Sequence, residues 1–196
     1  MNYNVYKRAR DAAWQFLIDN GIDSLPVRFG ELCEKNGIVL LRDPCNYYLG
    51  KQQRGVTYIR NKRYHILVNG MDHLSIQRFT IAHELGHIYM NHDLTDSPLG
   101  RSFGVHYHPV LPEEYQAERF AMGILAPACV LWGLDLHSPK DIAKACYISI
   151  EDARYRADRM RDLYKRDVFL ASELEKRVFE QFKSFVETKK APLAGA

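Results

Sequence analysis

Phe79-Thr80-Ile81-Ala82-His83-Glu84-Leu85-Gly86-His87-Ile88-Tyr89 contains His-Glu-x-x-His inside a helical pattern of apolar residues. Histidines four positions apart lie about 40° from each other around an α-helix, one above the other. Both imidazoles can therefore grip one metal ion, most often zinc. Glu84 is offset from them by roughly 100°, so it cannot easily share their coordination point, but it can reach a water on an open metal position. That is where a general base is needed to activate water at neutral pH. Ile76, Phe79, Ala82/His83, Gly86/His87 and Met90 follow the 3.6-residue period, which predicts that the histidines face the core. The plainer alternative is a pair of buried, hydrogen-bonded histidines beside a chance glutamate.

A zinc peptidase needs three protein ligands and one open position. One scheme extends the motif to H-E-x-x-H-x-x-G-x-x-H; this chain has Met90 at the glycine position and Asp93 at the third histidine. The other takes a glutamate from a second helix downstream. Residues 113–125 carry that pattern, with Glu114, Ala117, Ala121 and Ile124 on one face at offsets of 3, 7 and 10. A carboxylate on an apolar stripe is costly without a cation or a metal beside it. Glu114 follows His87 by 114 − 87 = 27 residues, and His83, His87 and Glu114 together would give two histidines and a glutamate around one ion. Glu118, one turn further, also points inward and is either a supporting residue or a competing ligand.

The remaining chain predicts an α+β fold: a small antiparallel sheet on the metal-binding helix core, then an all-helical C-terminal region. Residues 4–19 read as a helix stopped by Asn20-Gly21, and a short helix around 28–35 leads to a strand at 38–41. Gly55–Ile59 and Tyr64–Val68 read as a hairpin, and Ser75 as the N-cap of the motif helix. Residues 92–112 form a long loop holding His92, Arg101, His106, Tyr107 and His108; a loop of this length is more often functional or mobile than idle. Ser138-Pro139-Lys140-Asp141 and Ser149-Ile150-Glu151-Asp152 open two helices, about 139–146 and 150–165, as a helix-turn-helix-like pair. A last helix opens at Ser172, with Leu174, Val178, Phe182 and Phe185 inward. The division expected is residues 1–137, with a core of about 25–137 and an N-terminal helix at 4–19, and a helical region 138–196.

Composition narrows the class. With 46% hydrophobic and 26% charged residues over 196 positions, the chain has the balance of a soluble globular protein. A net charge of +3 does not by itself demand a nucleic-acid partner. Cys33, Cys45, Cys129 and Cys146 include no C-x-x-C pair, and isolated thiols suit a reducing cytoplasm. The N-terminus has no apolar run of signal-peptide type, and the longest apolar run, Gly123 to Leu134, is too short to span a bilayer. Residues 154–166 hold six Lys/Arg against two Asp, a local 6 − 2 = +4, which makes a DNA-binding or repressor-binding regulator without proteolysis the rival reading.

Arg78-Phe79-Thr80-Ile81-Ala82-His83-Glu84-Leu85-Gly86-His87, followed by Glu114-Tyr115-Gln116-Ala117-Glu118-Arg119-Phe120-Ala121 and Ile124-Leu125-Ala126-Pro127, resembles the ImmA/IrrE family of metallopeptidases. The likeness covers roughly residues 25–186. Glu118 stands where members usually have asparagine, and Ala126 where they usually have methionine. The resemblance implies zinc held by His83, His87 and Glu114, with Glu84 as catalytic base. It also implies a cytoplasmic protein of a bacterium, phage or mobile element that cleaves a helix-turn-helix repressor encoded nearby, relieving repression. A further oxyanion donor is expected from the 92–112 loop, among Arg101, His106, Tyr107 and His108.

Overall fold

The computed structural model describes residues 3–50, 53–94 and 112–191. In chain order the elements are α1 (Tyr3–Asp19), α2 (Phe29–Lys35), β1 (Val39–Asp43), β2 (Gly55–Arg60), β3 (Arg63–Asn69), α3 (Leu74–Tyr89), α4 (Pro112–Leu125), α5 (Ala128–Gly133), α6 (Pro139–Cys146), α7 (Ile150–Arg166) and α8 (Glu173–Lys190). Helices with one small sheet make this an α+β chain. It divides into two compact units, Met1–Ala12 with Arg28–Ala121 and Ala13–Val27 with Met122–Ala196.

In the first unit the strand order is β1-β3-β2. β2 and β3 form the expected antiparallel hairpin, paired from Gly55↔Val68 to Arg60↔Arg63. Its turn is tighter than the sequence suggests: Asn61 and Lys62 alone turn the chain, with φ of 52° and 59°. Two successive left-handed residues match the right-handed twist of the strands they join. The sheet as a whole is mixed, which corrects the expectation of an antiparallel one. β1 runs parallel to β3, from Val39↔His65 to Asp43↔Asn69. After Asp43 the chain crosses to the far edge before starting β2, so the returning β3 comes between and shares β1's direction. Residue alternation reveals strands, but not which distant strand becomes the neighbour.

α3 is the centre of this unit. Residues 80–87 are buried without a break, while Ile76 and Phe79 are only half-buried. The single inward stripe read from the sequence is therefore too narrow. β2 and β3 pack against the helix, and Ala117 and Phe120 of α4 approach it at Gly86. A Cβ on Gly55 would come 2.4 Å from Thr80 Cγ2, so β2 reaches α3 this closely only because glycine is there. The helix begins at Leu74, two residues earlier than a Ser75 cap allows. The N-cap is His73, whose Nδ1 accepts from the Ser75 N–H at 3.3 Å and meets Ser75 Oγ at 2.8 Å. Ser75 thus supplies one of the unsatisfied first-turn donors rather than the acceptor.

In the second unit α6, α7 and α8 start at Ser138, Ser149 and Ser172, each serine accepting the backbone N–H three residues on, as capping boxes require. α5 was not legible in the sequence: Ala128–Leu131 are all buried, and a helix buried on every side shows no amphipathic period. In α7, Arg156 is buried beside Ala153, Ala157 and Met160. In α8 the buried residues are Glu175, Val178, Phe182 and Val186, with Leu174 and Phe185 only half-covered. Gln181 donates to the carbonyls of Leu17 and Ile22 at 2.9 and 2.6 Å. Among the described residues no helix is long and apolar enough to cross a membrane.

Candidate metal centre

α3 and α4 bring His83, His87 and Glu114 together. The two Nε2 atoms are 2.8 Å apart. Glu114 Oε2 lies 3.3 Å from His83 Nε2, and Oε1 lies 3.6 Å from His87 Nε2. Among the described residues this is the group that could hold a metal ion, its donor atoms all within 4.8 Å of one another. Donors on one tetrahedral zinc lie about 3.3 Å apart, given metal–donor bonds of about 2.0–2.1 Å. The 3.3 Å carboxylate spacing matches that value, the 3.6 Å one is wider, and the imidazole pair is about 0.5 Å tighter.

Gly86 makes the arrangement fit. A Cβ there would lie 3.1 Å from Ala117 Cα, 3.1 Å from Phe120 Cδ1 and 3.3 Å from the Ala117 carbonyl oxygen. The helix pair is in contact through glycine, and Glu114 sits one turn before Ala117 on α4. Close packing of α3 and α4 therefore sets how near the carboxylate comes to the imidazoles.

Protonation favours metal binding at neutral pH. Burial pushes His83 down to about 4, against the opposing pull of the Glu114 carboxylate, so its imidazole is neutral. Burial works against ionising Glu114, but His83 and His87 beside it outweigh that and hold the carboxyl well below the usual range. Neutral nitrogen and ionised oxygen are the states a metal needs.

Glu84, 7% exposed, lies on α3 between the histidines in sequence, and its Oε2 accepts a 2.6 Å hydrogen bond from Thr57 Oγ1 on β2. Burial raises its pKa, and the Thr57 hydrogen bond partly offsets the rise. A buried carboxylate with a raised pKa, hydrogen-bonded by Thr57, is suited to exchange protons.

His92 and Gln116 extend the cluster, and the sequence reading placed neither in the site. His92 Nδ1 is 3.0 Å from His87 Nδ1, and His92 Nε2 is 2.9 Å from Gln116 Oε1. Burial lowers the His92 pKa, favouring the neutral ring. Gln116 is polar yet buried on α4, between Glu114 and the Ala117 contact. The hint in the sequence was His92 at the start of the 92–112 loop.

Glu118, read as a supporting residue or competing ligand, is not among the converging metal donors of the described residues. Its carboxylate pairs with Arg119 at 3.3 Å, and the Arg119 guanidinium lies 4.9 Å over the Tyr115 ring. Arg101, His106, Tyr107 and His108 lie outside the described residues.

The family model for the IrrE N-terminal-like domain (Peptidase_M78) matches residues 33–174. The chain belongs to this family. The matched IrrE-type span contains the whole cluster, from Thr57 on β2 to Gln116 on α4, and the family's peptidase activity gives the converging donors a chemical setting in which a metal is expected. No curated protein matches the chain.

Proposed function

We infer that the protein is a zinc-dependent endopeptidase of the ImmA/IrrE type that cleaves a helix-turn-helix transcriptional repressor in the cytoplasm and so relieves repression. The observation that carries this is the meeting of His83, His87 and Glu114 beside a buried Glu84, within a chain of an IrrE-type peptidase family. Two imidazoles and one carboxylate suit zinc and leave a position open for water and substrate.

When bound, zinc supplies Lewis acidity to a water and to the scissile carbonyl. The protein's own groups do the rest. His83, His87 and Glu114 hold the ion. Glu84 takes the proton from the attacking water and returns it to the departing amine nitrogen, so one carboxylate serves as base and then acid. Thr57 Oγ1 holds the carboxylate through its Oε2.

A DNA-binding role fits less well than the charge count along residues 154–166 implies. Arg156 is buried and Arg159 half-buried in α7, so the basic face is thinner than six cations. The helical region from residue 138 onward is better assigned to recognising the protein substrate. The test is to incubate the zinc-loaded protein with a repressor encoded beside its gene and to read the products by mass spectrometry. One discrete cut, abolished by chelator and by Glu84→Gln, is the expected result. Intact repressor in the presence of fully bound zinc would refute the assignment.

A further inference from the structure

His92 and Gln116 have no place in the peptidase chemistry above, yet they form an unbroken polar chain to a metal-ligating ring. We propose that His92, oriented by Gln116, is a positioning residue that locks His87 in the tautomer and ring orientation in which Nε2 faces the metal. The proposal rests on the zinc-site reading for its purpose, but its geometry stands apart from it.

With Gln116 Oε1 turned toward His92, the chain runs in one direction. Gln116 Oε1 is an acceptor, so the 2.9 Å contact requires the hydrogen on His92 Nε2. A neutral His92 then carries its lone pair on Nδ1. The 3.0 Å contact between the two Nδ1 atoms therefore requires His87 to donate from Nδ1. What remains on His87 Nε2 is a lone pair, and that atom faces His83 Nε2 and Glu114. This is the tautomer a metal needs at Nε2. Free imidazole side chains prefer the other one, with hydrogen on Nε2, so His87 needs a partner on its far side to hold it. Metal-ligating histidines generally have such a partner, usually a carboxylate or a backbone carbonyl, which fixes the ring and raises its basicity. Here the acceptor is a second histidine, whose own tautomer is set by a glutamine.

The placement of the parts favours this role over simple packing. His92 follows the end of α3 and reaches back beside His87, its backbone N–H donating to the His87 carbonyl at 3.0 Å. Gln116 stands two residues after Glu114 on α4, so one helix supplies both a ligand and the anchor for the relay. Gln116 is 8% exposed, where an unmatched amide would be costly.

Two readouts test the proposal. The first is the zinc dissociation constant of the full chain, measured by competition with a chromophoric chelator. His92→Phe keeps the ring volume and removes the acceptor, and an affinity loss of about tenfold to a hundredfold is expected. His92→Gln, which can present an amide oxygen to His87 Nδ1, should recover much of that loss. Gln116→Leu should weaken binding by a smaller factor, and it serves as the second variant if His92→Phe does not fold. The second readout is the ring 15N spectrum of His87 in the metal-free protein, where the Nδ1–H tautomer is expected in wild type and a shift toward Nε2–H in His92→Phe. Wild-type zinc affinity in folded His92→Phe and Gln116→Leu would overturn the proposal, as would an Nε2–H tautomer in the wild-type spectrum. Failure of wild-type protein to bind zinc at all, with the Nδ1–H tautomer present, would instead overturn the zinc reading and leave the tautomer lock standing.

Discussion

Gly86→Ala should loosen the metal site while barely disturbing the fold. The new Cβ would stand 3.1 Å from Ala117 Cα and from Phe120 Cδ1, whereas carbon atoms prefer about 3.5–4.0 Å, so roughly 0.5 Å must be found. Ala117 and Phe120 are fully buried, and Ala117 presents backbone, so a side-chain rotation does not suffice and α4 has to give way. Overpacking of this kind costs about 1–3 kcal/mol. Replacing a mid-helix glycine by alanine returns about 1 kcal/mol. The net change in folding free energy is thus about 0–2 kcal/mol.

The site feels the shift more sharply. Glu114 is one turn from Ala117 on the same rigid helix, so a displacement of about 0.5 Å moves its oxygens from 3.3 and 3.6 Å toward about 3.8 and 4.1 Å from the imidazole nitrogens. That is beyond the roughly 3.3 Å spacing that tetrahedral zinc requires. A zinc affinity lower by about tenfold to a hundredfold follows, or about 1.4–2.8 kcal/mol. The assay pairs chelator competition for the zinc constant with urea unfolding of the metal-free protein. If Gly86→Ala folds and binds zinc within twofold of wild type, the spacing of α3 and α4 does not position Glu114, and the reasoning fails.

Glu84→Gln should abolish peptide cleavage yet leave zinc affinity within about threefold of wild type, because Glu84 is not among the converging donors; a parallel loss of zinc would contradict the separation of base from ligands. Thr57→Val removes the 2.6 Å donor to Glu84, and kcat should fall by about tenfold to a hundredfold with KM little changed, while Thr57→Ser restores it; equal activity in the valine variant would remove Thr57 from the mechanism. Acid should destabilise the metal-free protein. The unfolded His83 takes a proton near pH 6.5 but the buried one only near 4, so its contribution is fully present above about 6.5 and is lost as pH falls toward 4, about 3 kcal/mol in all. Glu114, with its lowered pKa, adds to the acid loss below the carboxylate range, and Glu84, with its raised pKa, acts in the opposite sense. Thermal midpoints between pH 7.5 and 4.5 should therefore drop more steeply in wild type than in His83→Leu, and parallel curves would exclude His83 as the source.

The motif helix and the carboxylate helix were legible because both rest on local periodicity. His83 and His87 are four apart, and Glu114 shares a face with Ala117, Ala121 and Ile124. Such relations are fixed by helix geometry alone. What the sequence hid depended on tertiary neighbours. The parallel pairing of β1 with β3 joins segments 26 residues apart, as in Val39↔His65 (65 − 39 = 26), and no local pattern encodes it. α5 lacks a polar face and so lacks a period. Arg156 counts as surface charge in any tally of residues 154–166, yet the helix turns it inward. Thr57 was within reach: Gly55, Thr57 and Ile59 alternate with Val56 and Tyr58 along β2, and a polar residue on the glycine-bearing face that approaches α3 marks an inward contact. His92 and Gln116 offered no such rule, since their meeting depends on a helix end and a second helix 116 − 92 = 24 residues later.

These hidden contacts also explain why a five-residue motif needs a whole unit around it. His-Glu-x-x-His on an isolated helix sets which way three side chains leave the backbone, and nothing more. The base is then held from the sheet side, by Thr57 on a strand that Gly55 lets approach α3. The ligands are held from the α4 side, by Glu114 directly and by Gln116 through His92. Because the two sets of constraints come from different elements, they can fail separately: damage at β2 should appear in turnover with metal retained, and damage at the α3–α4 contact in metal affinity first. A single packing defect that removed both at once would mean the sheet and α4 move as one body against α3, and would assign the site's precision to that body rather than to the individual hydrogen bonds.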